Sequence, residues 1–142
     1  MIYFDTSYLV RLYYKDPGYE AVRQLVATEL VACSLHGRAE VVAALHRKVR
    51  EGCLTPDFYR ITLLEFADEC RAGGYRWLPL SPAVFDRVER IYAGLSAAVV
   101  LSAADALHLA CAAENGFQEI YSNDRRLLAA AAHFGIKGIN VI

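Results

Sequence analysis

No two of the four cysteines, Cys33, Cys53, Cys70 and Cys111, stand at CxxC spacing, and four are too few for a disulfide-built scaffold of this length. They read as buried thiols rather than zinc ligands. The four histidines, His36, His46, His108 and His133, are scattered and form no ligand motif. An excess of one charge is missing as well. With 15 basic and 16 acidic side chains the net charge is −1, so bulk charge carries no nucleic-acid signal. No apolar run is clean enough to span a membrane: the longest, Ala97 to Ala113, contains Ser102, Asp105 and His108 and reads as a buried helix. The first residues lack a basic stretch followed by a long apolar segment, so no secretory signal is expected and the expected location is the cytoplasm. No linker, repeat or low-complexity stretch divides the chain. Its 142 residues fit one domain, 1–142, and a hydrophobic fraction of 56% excludes disorder.

What is present is an alternation of two periods. Strand-like runs at 2–5, 31–34, 77–80, 119–122 and 139–142 are separated by segments of helical period, the pattern of a parallel sheet covered on both faces, hence an α/β chain. Thr6 is a favourable cap for a first helix ending near Asp16-Pro17-Gly18, and a second fills Tyr19 to Leu30. A third runs from Gly37 to Glu51, and a fourth from Thr55-Pro56 to about Arg71, with Pro56 suited to a first helical position and Gly73-Gly74 ending it. Ser81-Pro82 opens a fifth in the same way. Ser102 to Glu114 forms the sixth and Asp124 to Phe134 the seventh.

Four acids occupy telling places in this pattern. Asp5 closes the first strand-like run, Glu40 lies in the first turn after the second, Asp105 interrupts an apolar helix, and Asp124 follows Ile120-Tyr121-Ser122. Each has an ordinary explanation alone, as a helix cap, a turn former or a partner of a helix dipole. Together they point to one edge of the sheet, because open α/β sheets bind ligands beyond the carboxyl ends of their strands. Four carboxylates in one cleft repel one another, and a hard divalent cation such as Mg²⁺ or Mn²⁺ removes that penalty. Such a cation activates water and offsets charge on a phosphodiester oxygen, chemistry that needs no histidine or cysteine nucleophile. With the four set aside, 15 basic side chains face 12 remaining acids, which allows local phosphate contacts.

The segments Asp5-Thr6-Ser7, Glu40 after the second strand, Ser102-Ala103-Ala104-Asp105-Ala106-Leu107-His108-Leu109-Ala110, and Ser122-Asn123-Asp124-Arg125-Arg126-Leu127 together resemble the PIN domain. More narrowly, the chain resembles the VapC-type ribonuclease toxins of toxin–antitoxin pairs, over essentially its whole length. The resemblance implies a three-layer α/β/α sandwich with a central, mainly parallel five-stranded sheet. It also implies a metal-dependent endoribonuclease, homodimeric and held inactive by a small VapB-type antitoxin. Position by position, it implies that Asp5, Glu40, Asp105 and Asp124 bind Mg²⁺ or Mn²⁺ and carry catalysis. Thr6, Ser7 and Ser122 are implied as supporting hydroxyls. The junction Ser34-Leu35-His36-Gly37 departs from the pattern, and His108 reads as a satisfied core residue.

Among the basic residues near these positions, Arg38 and Arg125 are the first candidates for RNA phosphates, by proximity to Glu40 and Asp124. Tyr13, Tyr14, Phe58, Tyr59, Leu63 and Phe66 can line a groove for a partner helix. A dehalogenase-type phosphatase needs a second Asp where Ser7 stands, and a receiver domain needs paired acids at the first strand, so neither pattern fits. Two alternatives keep the fold: a housekeeping RNA-processing nuclease without an antitoxin, and a catalytically inactive interaction protein.

Overall fold

The computed structural model describes all 142 residues. Strand β1 (Ile2–Tyr3) pairs in parallel with β2 (Val31–Ser34), which pairs in parallel with β3 (Tyr75–Leu78). A second parallel pair joins β4 (Glu119–Tyr121) to β5 (Lys137–Ile139). A parallel bridge between Phe4 and Tyr121, with the Asp5 N–H donating to the Tyr121 carbonyl at 3.1 Å, links the two pairs. The resulting order is β3-β2-β1-β4-β5. The chain winds outward from β1 to β3 and then returns to the other side of β1. The crevice where the winding reverses therefore opens between β1 and β4, at their carboxyl ends.

The strand alternation sorts the core into two faces. Tyr3 and Ala32 point into one core with Val84, Ala106, Leu109, Leu127 and Phe134. Phe4, Val31 and Cys33 point into the other with Tyr8, Leu9, Val41, Leu45 and Phe66. Helices α1 (Thr6–Tyr13), α2 (Tyr19–Leu25), α3 (Gly37–Arg50) and α4 (Pro56–Ala72) cover the second face. Helices α5 (Pro82–Gly94), α6 (Ala103–Glu114) and α7 (Arg125–Ala130) cover the first, which completes the expected three layers. All four residues of β2 are buried, as a strand flanked on both sides requires.

The cap of α1 is Asp5 rather than Thr6. Its Oδ1 accepts the Tyr8 N–H at 3.1 Å, so the chain turns into α1 at Asp5 and β1 ends early. Helix α2 stops at Leu25 instead of Leu30, because the Leu30 carbonyl already accepts the Ile2 N–H at 3.0 Å beside the sheet. Strand β3 lies two residues earlier than the pattern predicts, since Pro79 has no N–H to give a ladder. Residues 97–101 are turn and loop rather than helix. There the Ser96 hydroxyl accepts the Ala98 N–H at 3.2 Å, and Ser102 caps α6 by accepting the Asp105 N–H at 3.2 Å, both local alternatives to helix. The last helix tightens to a 3₁₀ turn at Ala131–Phe134. Strand β5 ends at Ile139, because Asn140 and Val141 are taken up by the Tyr8 hydroxyl at 2.9 Å each. Cys53 is exposed, contrary to its reading as a buried thiol; it lies in the turn after α3.

Gly37 sets how closely α3 approaches the sheet. A Cβ there would sit 2.5 Å from Cys33 Sγ, so only glycine lets the start of α3 lie against β2. That close approach carries Glu40, one turn later, to the sheet edge.

Candidate active site

Asp5, at the end of β1, is buried, and two serines hold its carboxylate. The Ser7 hydroxyl donates to Oδ1 at 2.7 Å and the Ser122 hydroxyl to Oδ2 at 2.5 Å. Each serine oxygen also accepts a backbone N–H from the loop after β4: Ser7 from Asn123 at 3.0 Å and Ser122 from Asp124 at 2.9 Å. The β1 and β4 ends are thus stitched together around one carboxylate. Asp124 caps α7 through Oδ1, which accepts the Arg126 and Leu127 N–H groups at 2.8 and 3.2 Å. Its remaining oxygen is free of those bonds.

Glu40 comes from the opposite helical layer. Its Oε1 accepts the Thr6 hydroxyl at 2.9 Å and lies 2.7 Å from His108 Nε2 and 3.3 Å from His36 Nε2. His108 is buried; its Nδ1 lies 3.0 Å from the Tyr3 hydroxyl and 3.2 Å from Ser34 Oγ. Its reading as a satisfied core residue covers only half of what it does, because its other nitrogen reaches into the cleft.

Asp5, Glu40, Asp105 and Asp124 all line one cleft of about 380 Å³, together with Thr6 and Ser7. Burial raises the Asp5 carboxyl above its ordinary value, against the pull of His108 and the hydrogen bonds from Ser122, Ser7 and Tyr8. Burial also raises Asp105, reinforced by the charges of Asp124 and Asp5. For Glu40, burial pushes upward, but the hydrogen bond and charge of His108, the Thr6 hydrogen bond and the charge of His36 outweigh it and hold the carboxyl low. A donor set of carboxylate oxygens, two of them unfavourable as free charges, suits a hard divalent cation.

Neither Arg38 nor Arg125 lines this cleft. Residues two apart on a helix face different ways, so Arg38 turns from Glu40 and places its guanidinium 5.9 Å from the Trp77 ring centre. Arg125 opens α7 and is exposed. The cations that line the cleft are Arg11, Arg47 and Lys48. Arg11 is buried and donates to the carbonyls of Ser7 at 2.8 Å and Pro17 at 2.9 Å. Lys48 is held by Asp16 at 2.7 Å. His36, one of four histidines scattered along the sequence, joins the site. Its signal was the four-residue step to Glu40, which puts both on one helix face.

The PIN domain family model matches residues 2–133. The chain belongs to the PIN domain family. Its fold resembles that of Mycobacterium tuberculosis VapC20, a sarcin-ricin loop cleaving toxin, at 20% identity and a TM-score of 0.73 over 92% of this chain and 95% of that one. The FitAcB structure from Neisseria gonorrhoeae aligns with a TM-score of 0.75 at 19% identity, covering 99% of this chain and 97% of that one. VapBC2 from Rickettsia felis, bound to a DNA fragment from its promoter, aligns with a TM-score of 0.71 at 14% identity over the whole of both chains. No curated protein matches by sequence. No helix is long and apolar enough to cross a membrane.

Proposed function

We propose that this chain, acting as one domain over 1–142, is a divalent-metal-dependent endoribonuclease of the cytoplasm and the toxin of a toxin–antitoxin pair. The observation that carries the reading is the meeting of Asp5, Glu40, Asp105 and Asp124, from four separate elements, in one cleft at the reversal point of the sheet. These four would hold Mg²⁺ or Mn²⁺, which when bound supplies Lewis-acid stabilisation of phosphodiester charge and an acidified water. The chain's own residues do the rest. Ser7 and Ser122 fix the Asp5 oxygens, Thr6 and His108 fix Glu40, and Arg11, Arg47 and Lys48 offer positive charge on the cleft wall for the RNA backbone. Arg38 and Arg125 serve RNA farther from the reacting bond.

The likeness in fold to a sarcin-ricin loop cleaving toxin and to a toxin–antitoxin complex supports the toxin assignment over a housekeeping nuclease. A VapB-type antitoxin would use the apolar surface of α3 and α4. Tyr13 and Phe66 are spent on internal packing, ring edge to ring face at 5.4 Å, but Phe58, Ile61 and Leu64 remain at least half exposed. A homodimer is proposed on the family likeness.

Incubation of the purified chain with single-stranded RNA tests the activity. Cleavage with Mg²⁺ or Mn²⁺, abolished by a chelator and restored by added metal, is expected. Undiminished cleavage in chelator overturns the mechanism.

A further inference from the structure

Two imidazole nitrogens converge on one carboxylate oxygen beside the acidic cleft. His36 Nε2 lies 3.3 Å and His108 Nε2 2.7 Å from Glu40 Oε1, and the three ligand atoms all fall within 4.8 Å of one another. A simple stabilising pair on α3 would account for His36 with Glu40, four residues apart. It does not account for the second imidazole, which comes from α6 and stands with its ring centre 4.3 Å from that of His36. Nor does Glu40 Oε1 lack donors, since it already accepts the Thr6 hydroxyl at 2.9 Å.

We propose that His36, Glu40 and His108 form a second cation site, of two-histidine, one-carboxylate chemistry, that takes a borderline first-row divalent ion of the Zn²⁺ and Co²⁺ class in preference to Mg²⁺. Imidazole nitrogen favours such ions, whereas Mg²⁺ favours oxygen. Ligand atoms about 2.0–2.1 Å from a tetrahedral ion stand about 3.3 Å apart. The His36–Glu40 separation already has that value, the His108–Glu40 contact needs to open by about half an ångström when its proton leaves, and the two imidazole ligand atoms, within 4.8 Å of each other, need to settle at the same spacing.

The surroundings fit this exchange. In ligating histidines the second ring nitrogen is held by an outer partner that fixes the tautomer. Here His36 Nδ1 lies 2.7 Å from Ser34 Oγ, and His108 Nδ1 lies 3.2 Å from the same oxygen and 3.0 Å from the Tyr3 hydroxyl. Hydroxyls donate or accept. Without metal, His108 Nε2–H donates to Glu40 and Tyr3 donates to Nδ1. With metal, the Nδ1–H donates outward and Nε2 presents its lone pair. His36 Nε2 also lies 3.1 Å from the Ala104 carbonyl, the contact that metal binding replaces. The His108 side chain is 2% exposed, that of His36 16% and that of Glu40 32%, so an ion enters from the Glu40 side. Glu40 Oε2 makes none of these contacts, which leaves it to the acidic quartet and makes Glu40 the residue common to both sites.

The test uses the metal-stripped full chain and does not read RNA cleavage, so it stands or falls separately from the nuclease assignment. Co²⁺ is added in the presence of excess Mg²⁺ and followed by visible absorption and equilibrium dialysis. One Co²⁺ per chain with an imidazole-ligated spectrum is expected. His36→Gln, which keeps an N–H donor on a side chain of similar reach, should weaken binding by at least about tenfold and remove the band, while Asp105→Asn should keep it. A parallel Zn²⁺ titration of the unmodified chain, read from ¹⁵N resonances of the histidine rings, should shift Nε2 of His36 and His108 and leave His46 and His133 in place. Equal Co²⁺ binding and spectrum in His36→Gln, loss of the band in Asp105→Asn but not in His36→Gln, or unshifted His36 and His108 nitrogens overturns the proposal.

Discussion

Ser122 Oγ stands 2.5 Å from Asp5 Oδ2, although the two residues are 117 positions apart in the chain. The same oxygen accepts the Asp124 N–H, so one buried hydroxyl orients two of the acids in the cleft. Ser122→Ala leaves a buried carboxylate oxygen and a backbone N–H without their partner, a loss of about 1–3 kcal/mol. The expected outcome is a lower melting temperature together with RNA cleavage reduced by at least about tenfold, since the carboxylate proposed to hold the metal loses its support. A variant with wild-type activity would remove Ser122 from the site.

Asp5→Asn and Asp105→Asn should each abolish metal-dependent cleavage while keeping the fold, because each deletes a charged oxygen at nearly constant volume. Circular dichroism and a gel assay with labelled RNA check both halves. Retained cleavage in either variant would contradict the role given to that residue.

In the metal-free protein the two buried aspartates should favour folding more as pH falls. Asp5 and Asp105 have folded values raised above those of the unfolded chain, chiefly by burial. Their contribution to stability is therefore fully present below the unfolded value, about 3.9, and is lost as pH rises through the raised folded value. Glu40, held low, acts oppositely and loses its contribution only as pH falls through its folded value, below an unfolded value of about 4.3. His36, held low chiefly by burial, opposes this trend as pH falls through its unfolded value, so the carboxyl effect is read as a difference between variants. In chelator, the melting temperature of the wild type should gain on that of Asp105→Asn as pH falls from neutral toward the unfolded carboxyl value, and added Mg²⁺ or Mn²⁺ should remove the difference. A wild type that gains nothing on Asp105→Asn would contradict the burial argument.

Tyr3→Phe removes the hydroxyl that accepts the Ser34 N–H at 3.0 Å and faces His108 Nδ1, at a cost of about 1–3 kcal/mol. For a chain of this length that corresponds to a melting temperature lower by about 3–10 °C. No change would mean that the buried chain from Ser34 through Tyr3 to His108 carries no stability.

Phe58→Glu and Leu64→Glu test the partner surface. Both side chains are 62% exposed on α4, so the monomer fold should tolerate the charge. Coexpression with the neighbouring small gene should give copurification with the wild type and not with the double variant. Equal recovery would direct the antitoxin to another face.

How much of this was legible in the chain differs from element to element, for physical reasons. Apolar periodicity and local caps are short-range properties, so the alternation of five strands and seven helices, and Pro56 and Pro82 at helix starts, could be read directly. The ends of elements were less legible because they depend on what lies opposite. Strand β5 stops at Ile139 because Tyr8, more than 130 residues earlier, captures Asn140 and Val141. The four acids stood out by their places after strand-like runs and within an apolar helix. Their meeting in one cleft is a product of the sheet order β3-β2-β1-β4-β5, which brings β1 beside β4. The same packing turned Arg11 inward and set His36, at the start of α3, against His108 of α6 across the edge of the sheet. Residue chemistry and period are written in the chain one position at a time, whereas which side chains share a charge, a proton or an ion depends on distances that exist only once the layers have closed.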